Sequence, residues 1–238
     1  MKRTISVADR VGAAAGAAYI LLINVGNQLS SGNTQDAHPS GAQDLADLGG
    51  QPTVVERVGF VLELAGFVAF MFFLAWLVSA LRARGGAWGW LAGVAGVSGV
   101  TMVAIKLGSI APILAGGVDH AQLSPALARV LSDMNGSSFV VTFLPFGVFV
   151  LAAGGAMLAT GLTGRVLGRS GVVIGALGIA SPLIWQLDPV NTNFLPFLFG
   201  MLWTLCVGIR LAVWGPKHPQ PTEADEPEAR VSSVAAAV

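Results

Sequence analysis

Long apolar runs alternate with short polar segments along most of this chain. Six runs stand out, at 11–29, 58–81, 87–114, 138–162, 170–187 and 194–214, each bounded to within a few residues. About 20 apolar residues suffice for a helix to cross a bilayer. The pattern therefore predicts an all-α integral membrane protein, a bundle of six transmembrane helices. Asn27, Gln28 and Leu29 close the first run where a signal peptide would need a small-x-small cleavage site, so this run reads as a span.

The polar segments complete the plan. Segment 30–56 is rich in Gly, Ser, Asn, Gln and Asp and reads as a solvated loop with room for one short helix. Segment 122–134 reads as a short amphipathic helix on the outer surface. Ser124 is placed to cap it, and Pro125 suits its first turn. Leu123, Leu127, Val130, Leu131 and Met134 share one face, which predicts a helix lying flat on the bilayer or the bundle. Beyond Trp214 come Pro216, Pro219, Pro221, Glu223, Asp225, Glu226 and Glu228, a composition that builds no core and reads as disordered. The organisation expected is a cytoplasmic N-terminus at 1–10 and a membrane domain at 11–216. Its outer loops fall near 30–56, 115–137 and 188–193, and a cytoplasmic tail follows at 217–238.

Composition agrees. Of 238 residues, 54% are hydrophobic and 11% charged, and the mean hydropathy is +0.71. Soluble domains carry about a quarter charged residues. The net charge is zero, without the basic face a nucleic-acid binder needs. Cys206 is the single cysteine, and His38, His120 and His218 are too few and too scattered for a metal centre. No cofactor is expected.

Lys and Arg set the orientation. With the N-terminus inside, Lys2, Arg3, Arg10, Arg82, Arg84, Arg165, Arg169, Arg210, Lys217 and Arg230 are cytoplasmic, and only Arg57 and Arg129 lie outside. Ten against two is a positive-inside bias. It predicts a multi-pass protein of the cell membrane with both termini in the cytoplasm.

Two ionisable residues fall inside the apolar runs. Glu63 lies six residues into the second run, about 9 Å deep, and Lys106 about eight residues before the end of the third, about 12 Å deep. A lone charge at mid-bilayer is costly, on the order of 3 kcal/mol or more. Similar depths predict that the two face each other within direct hydrogen-bonding or one-water reach, as a structural or functional pair. On the third helix Ser98, Thr101, Lys106, Ser109 and Pro112 fall within roughly 140° of one face. Asn24, Asn27 and Gln28 share a face of the first helix. Gly59 and Gly66 flank Glu63 and leave space beside its carboxylate. The fifth helix adds Ser181, Pro182, Trp185, Gln186 and Asp188. All lie in the outer half, which predicts a polar site open outward.

Other motifs weigh less. Gly-x-x-x-Gly at Gly12/Gly16, Gly89/Gly93 and Gly171/Gly175 predicts close packing within the chain, with a homo-oligomer face as the alternative. Phe-Leu-Pro-Phe occurs at Phe143–Phe146 and Phe194–Phe197 and reads as coincidence, not as a repeat. Gly96-Val97-Ser98-Gly99 matches the serine motif of rhomboid proteases, but no histidine lies within a predicted span to activate it. His-Glu-x-x-His is absent, and Asp119-His120 sits beside Gly116 and Gly117 in a loop. No catalytic residue is assigned.

Phe60-Val61-Leu62-Glu63-Leu64, Lys106 and the basic loop 162–171 with Arg165 and Arg169 resemble an uncharacterised bacterial six-helix membrane family of the domain of unknown function 4386 type. The resemblance implies the same six helices and a Glu63–Lys106 pairing. Lys106 stands where that family is expected to carry arginine, and lysine lacks the fork for a bidentate contact. No activity comes with the resemblance.

The ligand-binding residues expected are Glu63, Lys106, Asn24, Asn27, Gln28, Ser109, Trp185 and Gln186. The leading reading is a non-enzymatic protein that binds or senses a small amphiphile from outside, among membrane lipids. A transporter or permease subunit comes second and a membrane-embedded enzyme third.

Overall fold

A computed structural model describes residues 6–30, 40–187 and 194–216, and their side chains apart from those of 118–120 and 183–187. The tail 217–238, Asp188, Asn191 and Asn193 lie outside the described residues. Every regular element among the described residues is helical. The α-helices are α1 (Val7–Ser30), α2 (Gly41–Gly49), α3 (Val54–Arg82), α4 (Gly89–Asp119), α5 (Pro125–Val141), α6 (Phe143–Thr160), α7 (Arg165–Leu187) and α8 (Leu195–Trp214). Among the described residues, five stretches are long and apolar enough to cross a membrane: Val7–Ser30, Val54–Arg82, Gly86–Gly117, Pro125–Thr160 and Leu195–Trp214. The other expected span, 170–187, falls within α7, outside that group. Helix α7 opens with Arg165 and Arg169.

Local chemistry fixes the helix starts. Thr53 and Glu56 form a reciprocal capping box at α3, in which the Thr53 N–H donates to the Glu56 carboxylate at 2.6 Å and the Glu56 N–H to the Thr53 hydroxyl at 3.2 Å. Ser40 and Gln43 cap α2 the same way, and the Ser124 hydroxyl accepts the Leu127 N–H at 3.2 Å. Gly161 ends α6 in the left-handed region at φ 65°, which glycine adopts without a Cβ penalty.

Close glycine approaches assemble the bundle. A Cβ at Gly26 would lie 2.8 Å from the Glu63 and Gly59 backbones, so α1 and α3 cross almost in backbone contact. Gly147 and Gly154 of α6 meet the backbone of α7 in the same manner, and Gly208 of α8 meets that of α1. Gly12 and Gly16 face Trp76 and Phe73, and Gly171 faces Trp203. Two of the three Gly-x-x-x-Gly motifs thus pack within the chain as expected. Gly89 faces open space. Phe70, Phe73, Phe149, Leu77, Met157 and Leu211 form the core. The Trp203 indole N–H donates to the Leu167 carbonyl at 2.8 Å and ties α8 to α7.

One expectation needs correction. The outer helix expected at 122–134 and the span expected at 138–162 are not parted by a loop: α5 runs 17 residues and joins α6 through Thr142 alone. The break falls there because Pro145 has no N–H for the carbonyl of Val141. The apolar face of α5 meets the bundle in part, since Leu131 packs against the Gly116 position of α4. Leu127, Val130 and Met134 are about half exposed, whereas Ala128 is fully buried. Helix α2 approaches α5 where a Cβ at Gly41 would lie 2.4 Å from the Pro125 carbonyl oxygen, and Arg129 holds the buried Asp44 of α2 at 3.6 Å.

Candidate functional site

A cavity of about 140 Å³ opens at the end of the bundle that carries α2. Helix α1 contributes Tyr19, Ile23, Asn24 and Asn27, α3 contributes Glu63 and Phe67, and α4 contributes Met102 and Lys106. Phe139 and Thr142 close it from α5 and the α5–α6 junction, and Phe194, Phe197, Leu198 and Met201 from the start of α8. One side of this space is polar and the other aromatic.

Glu63 and Lys106 line the same cavity and are close enough for their charges to interact. They form no direct ion pair, which leaves the one-water form of the predicted contact. Among the described residues the ion pairs within 4.0 Å join Arg129 to Asp44 and Asp133. Each group has a partner of its own. The Ser30 hydroxyl donates to Glu63 Oε1. Lys106 Nζ lies 4.7 Å from the centroid of the Phe139 ring, a cation–π arrangement.

The other expected residues divide. Asn24 and Asn27 reach the cavity; the Asn24 amide also donates to the Ile20 carbonyl at 2.7 Å. Gln28 is exposed and does not line it. Ser109 is buried, but its hydroxyl turns back to the Lys106 carbonyl at 2.8 Å, as helical serines do when they satisfy themselves locally. The side chains of Trp185 and Gln186 lie outside the described residues. The space expected beside Glu63 is occupied, since Gly59 faces the backbone of Gly26 and Ser30, and Gly66 faces Ile23. Those glycines seat α1 and leave no room for a ligand.

The aromatic wall was not anticipated. The two Phe-Leu-Pro-Phe copies meet: Phe143 stacks on Phe197 at 4.9 Å, Phe146 lies 5.1 Å from Phe197, and Phe139 packs on both Phe143 and Phe197. The repeated tetrapeptide was the available signal. In each copy the proline stands near a helix start, and both phenylalanines contact rings of the other copy.

The arrangement offers one cation, one carboxylate and two amides against apolar rings. Among the described residues no three His, Cys, Asp or Glu side chains gather to hold a metal. No family model, curated protein or solved structure matches the chain.

Proposed function

We propose that the chain is a six-helix multi-pass protein of the cell membrane, with both termini cytoplasmic, which binds or senses a small amphiphile in the Lys106 cavity. Five helices long and apolar enough to cross a membrane support the first part. The single observation that carries the second is that Lys106 lines an open cavity while its ammonium lies over an aromatic ring, not in a salt bridge. An ammonium has three N–H donors, and a ring face satisfies none of them as an oxygen acceptor does. The head of the amphiphile supplies that acceptor, and its apolar part lies against Phe139, Phe194 and Phe197. The volume sets the scale: a dry cavity of roughly 150 Å³ holds one benzene-sized molecule. The head and first few carbons enter, and the remainder extends through the open side.

The test is calorimetric titration of the purified chain in neutral detergent with medium-chain amphiphiles that differ only in head group. A carboxylate should bind more tightly than an alcohol or an amine. Lys106→Met should weaken the carboxylate tenfold or more, since a hydrogen bond to a charged group contributes about 1.5–3 kcal/mol. Equal binding of all three heads, or indifference to the lysine, would sink the proposal.

A further inference from the structure

A second and larger recess lies across the Ser30–Glu63 hydrogen bond from the Lys106 cavity. It is a groove of about 780 Å³, within the roughly 300–1,000 Å³ typical of ligand pockets. Its residues do not overlap those of the smaller cavity. Leu48 of α2 seats against Gly116 of α4, where a Cβ would lie 3.1 Å from it, so α2 bridges to α4 and roofs the groove. The polar and apolar linings separate along the chain. Asp47, Gln51, Glu56 and Arg57 come from the end of α2, the link and the first turn of α3. Phe60 and Val61 lie one turn deeper, about 6 Å on, opposite Ile110, Ile113 and Leu114 of α4.

The rim carries both signs of charge without cancelling them. Arg57 and Asp47 are exposed, and neither joins an ion pair among the described residues. Glu56 gives one oxygen to the Thr53 N–H and keeps the other. A purely anionic head would meet two carboxylates there, and a purely cationic head would meet the guanidinium. A head that carries a phosphate and an ammonium a few bonds apart satisfies both, with the phosphate on Arg57 as a forked anion acceptor and the ammonium on Asp47 and Glu56. One hydrocarbon chain then follows the apolar wall.

We propose that this groove binds a single-chain amphiphile with a zwitterionic phosphate–ammonium head, at a site separate from the Lys106 cavity.

Native mass spectrometry of the full chain in neutral detergent tests this with three probes of equal chain length: a lysophosphatidylcholine, an alkyl phosphate and an alkyltrimethylammonium. The zwitterion should be retained best. Arg57→Gln should weaken the two phosphate probes about two- to fivefold, the range for exposed charge pairs, and favour the ammonium. Asp47→Asn should do the reverse. Val61→Trp and Leu114→Trp, at exposed positions on opposite walls, should each weaken all three. Lys106→Met should change none, which separates failure here from failure of the smaller site. Equal retention of the three probes by every variant would mean ordinary boundary lipid and overturn the proposal. So would loss of zwitterion binding in Lys106→Met, or indifference to both tryptophans.

Discussion

Replacing Gly26 with alanine tests the seam between α1 and α3. The new Cβ would meet Glu63 Cγ, the Glu63 backbone N and the Gly59 carbonyl oxygen, all at 2.8 Å. Two of the three are backbone atoms and cannot swing aside, so one helix must shift. Overpacking of this kind costs about 1–3 kcal/mol, and rigid backbone neighbours place Gly26 toward the upper end. Against that stands the intrinsic gain of about 1 kcal/mol for alanine over glycine within a helix. The net expectation is a loss of about 1–2 kcal/mol. Gly108 of α4 is the control, because a Cβ there would meet nothing within 4 Å. Gly108→Ala should keep the helix gain and stabilise by about 0.5–1 kcal/mol. Reversible unfolding in mixed neutral and denaturing detergent reads both. Shifts of the same sign, or a Gly26→Ala protein as stable as its parent, would refute the close-packed seam.

Other expectations follow from the same contacts. A reporter fused after Val238 should be active only in the cytoplasm and one inserted near Gly41 only outside; the opposite pattern at both sites would invert the orientation. Asp44→Asn should cost about 1 kcal/mol, because a charge-assisted contact to a buried carboxylate is lost, and should speed hydrogen exchange across α2. Asp133→Asn breaks an exposed pair and should change stability by less than about 0.5 kcal/mol; equal effects would remove the α2–α5 clamp. In double-mutant cycles read by stability, Ser30→Ala with Glu63→Gln should couple more strongly than Glu63→Gln with Lys106→Met. The reverse order would restore a direct Glu63–Lys106 pair.

Helix positions were legible because apolar run length is a one-dimensional property. The runs at 58–81 and 194–214 correspond to Val54–Arg82 and Leu195–Trp214 within a few residues. Position along the helix axis was legible as well, since 1.5 Å per residue sets it, and this is why Glu63 and Lys106 do share one cavity. Azimuth was not. Which way a helix turns its face depends on its neighbours, and in α3 the decisive neighbours were the glycines of α1. Gly59 and Gly66 read equally well as free space or as a seat for another helix; the packing selects the seat. Ser109 failed for a different reason, because a helical serine can bond its own preceding turn whatever face it occupies. The amphipathic stripe of α5 was visible in sequence, but the contacts that tie α5 to α2, Gly41 against Pro125 and Arg129 against Asp44, were not.

The seam also explains why two opposite charges at matched depth stand apart. Coulomb attraction alone would bring Glu63 and Lys106 together, at a gain that depends on the local dielectric. Gly26 and Gly59, however, bring α1 against α3 until Ser30 reaches the Glu63 carboxylate. That hydrogen bond is local to the seam. Helix α4 lacks an equivalent glycine contact with α3 at this level: Gly108 faces nothing within 4 Å, and Gly99, further along, meets only the Leu74 side chain. Lys106 is therefore free to lean toward Phe139. Had α3 and α4 closed as tightly as α1 and α3, the charges would meet and the cavity between them would be filled. The separation of the charges and the existence of the cavity are consequences of one packing asymmetry, set by glycines on α1 and α3.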